Sequence, residues 1–172
     1  MQQLLGAAPW IAKTIKNSKA RVWNIKETKE KLGPISSKYI LFIHAFLGCD
    51  TTSRIYVFGK SALLKKIQSD KHLMQAAQAF LSPQSSSAEI QKAGEQATVI
   101  LCNRKPDESL NGLRYKHYNE KVATNVVHVQ PQVLPPTEAA TKFHSFCVFY
   151  QICQWMGCSN EMLMSCVGLE DQ

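Results

Sequence analysis

The chain has 172 residues, of which 45% are apolar, so it can form one globular domain with a buried core. Charged residues make up 19% of the chain, a composition that excludes wholesale disorder. No apolar run approaches the roughly 20 residues that a membrane-spanning helix needs, so we expect no membrane partner.

The formal charge of +7 is unevenly distributed along the chain. Residues 1–72 contain thirteen Lys and Arg against four Asp and Glu, whereas residues 73–172 contain seven against nine. A basic region of this kind attracts polyanions, so DNA is a candidate partner of the N-terminal half. Lysines on solvated helix faces produce the same pattern, and charge alone leaves both interpretations open.

The first predicted element is a short strand over the alternating residues 21–25. A basic helix over residues 26–32 follows and ends at Gly33. The helix over residues 39–47 is apolar almost all round, which indicates that it is buried. His44 within it is more often a satisfied core side chain than a ligand.

The rest of the chain is predicted to be helical with one extended segment. The predicted helices run from Gly59-Lys60 to about Gln68, from an Asp70 cap through Leu81, from Ala88 to Cys102, from Asp107 or Ser109 to about Val122, and from Thr137 through Trp155. Residues 124–136 are rich in proline and form an extended crossing segment, with a second candidate strand at 126–129. We expect the buried residues to include Trp23, Phe42, Ile43, Phe46, Phe58, Leu64 and Leu101.

The six cysteines indicate the compartment rather than a metal site. They are Cys49, Cys102, Cys147, Cys153, Cys158 and Cys166, and no pair has Cys-x-x-Cys spacing. The start of the chain lacks the positively charged segment and unbroken apolar run of a secretory signal. We therefore expect reduced thiols in an intracellular protein, nuclear or cytoplasmic.

The most informative stretch is residues 44–60, His-Ala-Phe-Leu-Gly-Cys-Asp-Thr-Thr-Ser-Arg-Ile-Tyr-Val-Phe-Gly-Lys. An apolar helix leads into Asp50, and a short loop leads to a Gly-Lys that opens another helix. A carboxylate at such a helix end suits a divalent cation, and lysines beside free backbone N–H groups suit a phosphate backbone. The candidate metal ligand is Asp50, and the candidate nucleic-acid contacts are Gly59, Lys60, Ser61, Lys65 and Lys66.

Residues 41–67 resemble the junction in flap endonucleases and related PIN-like nucleases where a Gly-x-Asp precedes a helix–hairpin–helix. The positions on that pattern are Gly48, Asp50, Ile55, Gly59, Leu64 and Ile67. The chain also resembles uncharacterised, often transposon-associated animal proteins with a His-Ala-x-x-Gly-Cys-Asp-Thr-Thr-Ser core. In those proteins a downstream element matches residues 134–137 and His144.

The resemblance implies a fold and a domain order. The fold class is mostly α with one or two short strands, a partial PIN-like α/β domain followed by a helical C-terminal region. Residues 1–81 would form the PIN-like segment with its helix–hairpin–helix-like element, residues 82–87 a linker loop, and residues 88–172 the helical region. In the nuclease family the aspartate that matches Asp50 helps to bind Mg²⁺.

Two departures from the family pattern weigh against nuclease activity of this chain alone. A pair of Mg²⁺ ions needs several carboxylates, yet only Glu27 and Glu30 precede Asp50, and both lie in a lysine-rich helix. In the hairpin, Val57 stands where the family has its first glycine, and a β-branched residue resists positive φ. Mg²⁺ is therefore expected only if residues missing here complete the site.

Three neighbouring hydroxyls, on Thr51, Thr52 and Ser53, invite interpretation as nucleophiles. No acid–base partner is visible, because His44 lies about two turns back and His144 could approach only through a tertiary contact that the sequence does not predict. We expect these hydroxyls to cap the loop or a helix start, and we assign no catalytic residue.

Three functions follow from the sequence. The first is a fragment of a PIN-like, flap-endonuclease-related domain that is catalytically incompetent alone. The second is a non-catalytic nucleic-acid-binding module, and the third is a helical interaction remnant of a mobile element.

Overall fold

The structure is a computed structural model that describes residues 11–12, 21–22, 24–55, 59–124 and 128–158, the first two pairs by their backbone alone. The described residues contain seven α-helices, one 3-10 turn and two paired two-residue strands. The prediction of a mostly helical chain is confirmed. Trp23 and Phe58 of the predicted core and Val57 of the hairpin lie outside the described residues, as do residues 126–127 of the predicted strand at 126–129, whereas residues 128–129 are not in a strand.

The chain divides into two compact units, Met1–Lys38 and Tyr39–Gln172. In the first unit, strand β1 (Ile11–Ala12) pairs antiparallel with β2 (Arg21–Val22). Helix α1 spans Ile25–Lys38, so the predicted strand over 21–25 is shorter than expected and a helix begins at its last residue. The predicted helix end coincides with a break inside α1, where Gly33 has φ 78° and ψ 167°.

The second unit contains the remaining helices. They are α2 (Ile40–Phe46), α3 (Lys60–Ile67), α4 (Lys71–Phe80), α5 (Ser87–Leu101), α6 (Leu110–Ala123) and α7 (Glu138–Met156), with a 3-10 turn at Pro131–Val133 between the last two. No helix among the described residues is long and apolar enough to cross a membrane.

Side-chain caps fix the start of four of these helices. Asp70 accepts from the Leu73 amide at the start of α4, and Ser109 and Thr137 cap α6 and α7. Ser86 and Glu89 form a reciprocal capping box at the start of α5. The predicted Asp70 cap is confirmed, α7 starts next to Thr137 as predicted, and of the two candidate starts of α6 the structure has Ser109 as the cap.

The core of the second unit is built around three phenylalanines. The ring centroids of Phe42 and Phe46 are 4.9 Å apart, and the Phe80 ring lies 5.1 Å from Phe42 and 5.9 Å from Phe46. Such tilted and edge-on pairs stabilise a core beyond the area that they bury. Of the predicted core residues, Phe42, Ile43, Phe46 and Leu101 are buried and Leu64 is partly buried.

Helices on both sides of the predicted 82–87 linker contribute to this core. Phe80 at the end of α4 and Ile90 near the start of α5 belong to one buried cluster, together with Phe149 of α7. The loop does connect two helices as expected, but α4 and α5 pack against each other, so the division into compact units does not fall there.

Gly94 sets how closely α5 approaches α7. A Cβ added at Gly94 would lie 1.8 Å from Ser145 Oγ and 2.8 Å from Ser145 Cβ. Ser145 is fully buried, and its hydroxyl donates to the Thr141 carbonyl at 2.7 Å. Because neither backbone nor serine has room to move in a packed interior, only glycine permits this spacing.

We expect Gly94→Ala to lower the free energy of unfolding by about 1–3 kcal/mol, because the added methyl overpacks the α5–α7 contact. Gly112→Ala in α6 is the matched control, since its new Cβ would meet nothing closer than Ser109 at 3.8 Å. The control should raise stability by about 0.5–1 kcal/mol, the usual gain when alanine replaces glycine inside a helix. Urea unfolding of both variants checks this, and equal effects would contradict the close approach.

Candidate functional site

The loop after α2 carries the Gly-Cys-Asp-Thr-Thr-Ser motif, and it turns sharply at Gly48. This residue has φ +95°, and a Cβ there would lie 2.8 Å from the Arg54 Cα. The backbone of residue 48 therefore passes directly against the backbone at the far end of the motif. Both the dihedral angle and the contact require glycine.

Thr52 holds this loop to the end of α2. Its buried hydroxyl donates to the Ala45 carbonyl at 2.7 Å and accepts from the Cys49 amide at 3.0 Å. A threonine hydroxyl has one hydrogen, so with that hydrogen on Ala45 its oxygen can only accept from the Cys49 thiol 3.2 Å away. The prediction that these hydroxyls cap the loop is confirmed for Thr52.

Asp50, the predicted metal ligand, is an exposed residue of this loop. Within the described part of the chain, no group of three or more His, Cys, Asp or Glu side chains is arranged to hold a metal ion. The structure therefore gives Asp50 access to solvent, and its role as a Mg²⁺ ligand stays a prediction.

His44 is exposed, so its interpretation as a core histidine is wrong. Its ring stacks on Trp155 with centroids 5.5 Å apart, and its Nδ1 accepts from the Lys60 ammonium at 2.7 Å. Partial burial and the Lys60 charge lower the pKa of His44, while the Asp50 carboxylate acts in the opposite direction. The imidazole thus lies between the predicted metal ligand and a predicted phosphate contact.

Helix α3 presents most of the predicted nucleic-acid contacts to solvent. Gly59 is its N-cap residue and has extended dihedral angles, with φ −93° and ψ 153°, and no side chain of the described residues caps this end. Lys60, Ser61 and Lys65 are exposed. Uncapped amides beside lysines are a favourable arrangement for an anion.

Lys66 differs from the other predicted contacts. Its ammonium donates to the Ile100 carbonyl at 2.8 Å and is partly buried. A lysine on the last carbonyls of a helix neutralises their partial charge, so Lys66 already serves the C-terminal end of α5. Its contact with a phosphate stays a prediction, and it would require this hydrogen bond to open.

The structure brings His144 of α7 to the motif loop, a contact that the sequence did not predict. His144 Nδ1 lies 3.0 Å from Ser53 Oγ, and Nε2 lies 2.9 Å from the Phe46 carbonyl oxygen. Burial lowers the pKa of His144, and its hydrogen bond to Phe46 opposes this only in part. The only sequence signal was the presence of both residues in the resemblance to the animal proteins.

A second contact joins the same loop to α7, because the Thr51 hydroxyl donates to the Gln151 side-chain oxygen. The loop is therefore held by α2 at Thr52 and by α7 at Thr51 and Ser53. Helix α7 fixes where Asp50 and Ser53 emerge at the surface.

Comparison of the chain with protein-family models, with curated proteins and with solved structures finds no match.

We expect Thr52→Val to lower the free energy of unfolding by about 1–3 kcal/mol, because it leaves the Cys49 amide without its buried partner and removes the side-chain donor to the Ala45 carbonyl, which then keeps only the Gly48 amide and the helix cap. Thr51→Val removes a hydroxyl from an exposed position and should change stability by less than about 0.5 kcal/mol. Thr52→Ser keeps the hydroxyl and should retain most of the stability. Denaturant unfolding of the three variants checks the order, and equal losses at 51 and 52 would contradict it.

Proposed function

We propose that the protein is a nucleic-acid-binding module whose contacts lie in its basic N-terminal half. The observation that carries the proposal is the concentration of exposed lysines on α1 and α3. Residues 1–38 contain eight Lys and Arg against two Glu, and Lys31 and Glu27 of α1 form an ion pair at 2.6 Å. On α3, Lys60 and Lys65 are exposed and lack ion pairs with the described acidic residues.

Helix α3 supplies two kinds of phosphate contact at once. No described side chain caps its first amides, and the positive end of the helix dipole adds to the charge of Lys60 beside them. Phosphates bind such helix starts without base-specific contacts. The predicted affinity is therefore independent of base sequence and sensitive to salt.

A second candidate function is that of a PIN-like nuclease fragment, and one observation favours it. Asp50 and Lys60 both act on the pKa of His44, so the predicted metal ligand and a predicted phosphate contact lie around one imidazole. A metal-dependent nuclease needs its cation beside the phosphate that it cleaves. In this function Mg²⁺ would bind once carboxylates from a longer polypeptide join Asp50.

We expect the double variant Lys60→Glu, Lys65→Glu to bind a short DNA duplex at least about tenfold more weakly and to reduce the salt slope by about one for each phosphate that the protein no longer neutralises. Lys92→Glu, on α5, is the control with the same change of charge per site. Fluorescence anisotropy over about 50–200 mM salt measures both quantities. Equal weakening by the control, or no binding by the unaltered protein, would reject the proposal.

The nuclease candidate has its own test. A gene product extended upstream of residue 1 should cleave branched DNA with Mg²⁺, and Asp50→Ala should abolish cleavage while DNA binding persists, because the carboxylate holds the metal rather than the DNA. The chain of 172 residues is expected to bind without cutting. Absence of cleavage by the extended product with any divalent metal would count against this candidate alone.

A further inference from the structure

A pocket of about 460 Å³ opens beside the motif loop, within the size range of small-molecule sites. The loop, the end of α5, the segment around the 3-10 turn, α6 and α7 all contribute residues to its wall. Its apolar lining includes Leu101, Val133, Leu134 and Pro135, and its cations are Arg54 and Arg114. Ser53 and His144 also line it, so their hydrogen bond lies at the wall of a cavity.

The Phe46 carbonyl fixes which nitrogen of His144 carries the hydrogen. A carbonyl oxygen can only accept, so Nε2 must donate to it across 2.9 Å. In the neutral imidazole Nδ1 is then the acceptor, and Ser53 must donate its hydroxyl hydrogen to Nδ1 across 3.0 Å. A hydroxyl directed at a base that a third group orients is the arrangement of an activated nucleophile.

The surroundings of His144 keep its imidazole neutral. Burial lowers the pKa of His144 below its ordinary value of 6.5. Besides His144, four charged or titratable side chains among the described residues line the pocket: Arg54 of the loop, Cys102 after α5, and Arg114 and His117 of α6. Since none of these is a carboxylate, none of them favours the imidazolium, and His144 is ready to accept a proton at neutral pH.

Thr141 has a buried hydroxyl behind the same pocket wall. It lies one helical turn before His144 and lines the same pocket, it is 1% exposed, and its hydroxyl has no hydrogen-bond partner among the described residues. A buried hydroxyl without a partner is costly, and the great majority of buried polar atoms are paired. The hydroxyl oxygen is itself buried, so its missing partner is a cost to the fold at this wall.

We propose that Ser53 and His144 are the nucleophile and general base of an esterase site, and that its substrates are small carboxylic esters with an apolar acyl group. The apolar wall fits the acyl chain. Of the two cations at the wall, Arg114 donates through Nη1 to the Pro135 carbonyl, so Arg54, next to Ser53 in the chain, is the one assigned to stabilise the negative charge that develops on the carbonyl oxygen. None of these residues belongs to the predicted DNA contacts, so the esterase proposal stands independently of nucleic-acid binding.

The reaction follows from the hydrogen bonds. Ser53 Oγ attacks the ester carbonyl carbon while its proton passes to His144 Nδ1, and the imidazolium stays anchored through Nε2 to Phe46. The carbon–oxygen bond to the alcohol breaks, and the alcohol leaves with the proton from Nδ1. Water then attacks the acyl-serine with His144 as base, which releases the carboxylic acid and restores Ser53.

The test combines covalent labelling with turnover. Diisopropyl fluorophosphate should add one diisopropylphosphoryl group at Ser53, as the phosphorus–oxygen bond forms, fluoride leaves and the proton passes to His144. The protein should also hydrolyse p-nitrophenyl butyrate, and Ser53→Ala should lose both reactions, with a fall in turnover of at least about 10²-fold. Ser87→Ala, an exposed serine at the start of α5, should keep both. Folded protein that is neither labelled nor active, or Ser53→Ala with undiminished turnover, overturns the proposal.

His144→Gln removes the proposed base, so it should slow both the labelling of Ser53 and the ester turnover. Because His144 is buried, circular dichroism first checks that this variant is folded. The pH profile of Ser53 labelling in the unaltered protein gives a second readout. If His144 is the base, the rate is constant from about pH 7 to 8 and falls with acid only below the ordinary histidine value of about 6.5, since the folded pKa is depressed. A rate that rises in proportion to hydroxide across this range excludes His144 as base and overturns the proposal.

Discussion

The motif loop depends on two backbone carbonyls at the end of α2. Helix α2 ends at Phe46, and the last carbonyls of a helix have no partner within it. Thr52 donates to the carbonyl of Ala45, which also accepts from the Gly48 amide, and His144 donates to that of Phe46. One donor comes from the loop and the other from α7, so satisfying the end of one short helix also fixes the loop and joins it to the last helix.

Two glycines make this arrangement possible. Gly94 lets α5 lie against Ser145, one residue after His144, and Gly48 lets the loop pass against the backbone of Arg54. The contact between Gly94 and Ser145 sets the position of α7 in the core. The contact between Gly48 and Arg54 turns the chain back, so that Ser53 lies beside His144. Interior packing therefore determines the geometry at the surface.

The features that the sequence predicted correctly are those that depend on residues close together along the chain. Asp70 and Thr137 cap helices because a side-chain oxygen reaches an amide three residues on, a contact that local spacing determines. The break at Gly33 follows from the same kind of local rule. The helices and most of the predicted core follow from the spacing of apolar residues, a signal that involves only a few helical turns of neighbouring sequence.

The site was harder to predict because its contacts are distant in sequence. Ser53 and His144 are 91 residues apart, and Lys66 and Ile100 are 34 apart, so neither hydrogen bond has a local signature. His44 was misassigned for a related reason. Apolar neighbours in α2 predicted burial, but the helix is short and its His44 face meets Trp155 and Lys60 instead of the core. The pattern of apolar residues shows that a helix is buried more clearly than it shows which face of the helix stays exposed to solvent.

The two hydrogen bonds of His144 differ in their burial. Ser53 is exposed, so water can replace its hydrogen bond at small cost, whereas the bond from Nε2 to Phe46 is buried and offsets the burial of the imidazole. A side chain that served only to anchor the loop would gain more from a buried partner such as Thr52 has. Nδ1 of His144 instead faces the hydroxyl of the exposed Ser53, and both residues line the pocket. One nitrogen of His144 thus makes a buried structural contact, and the other faces the hydroxyl that we propose as the nucleophile.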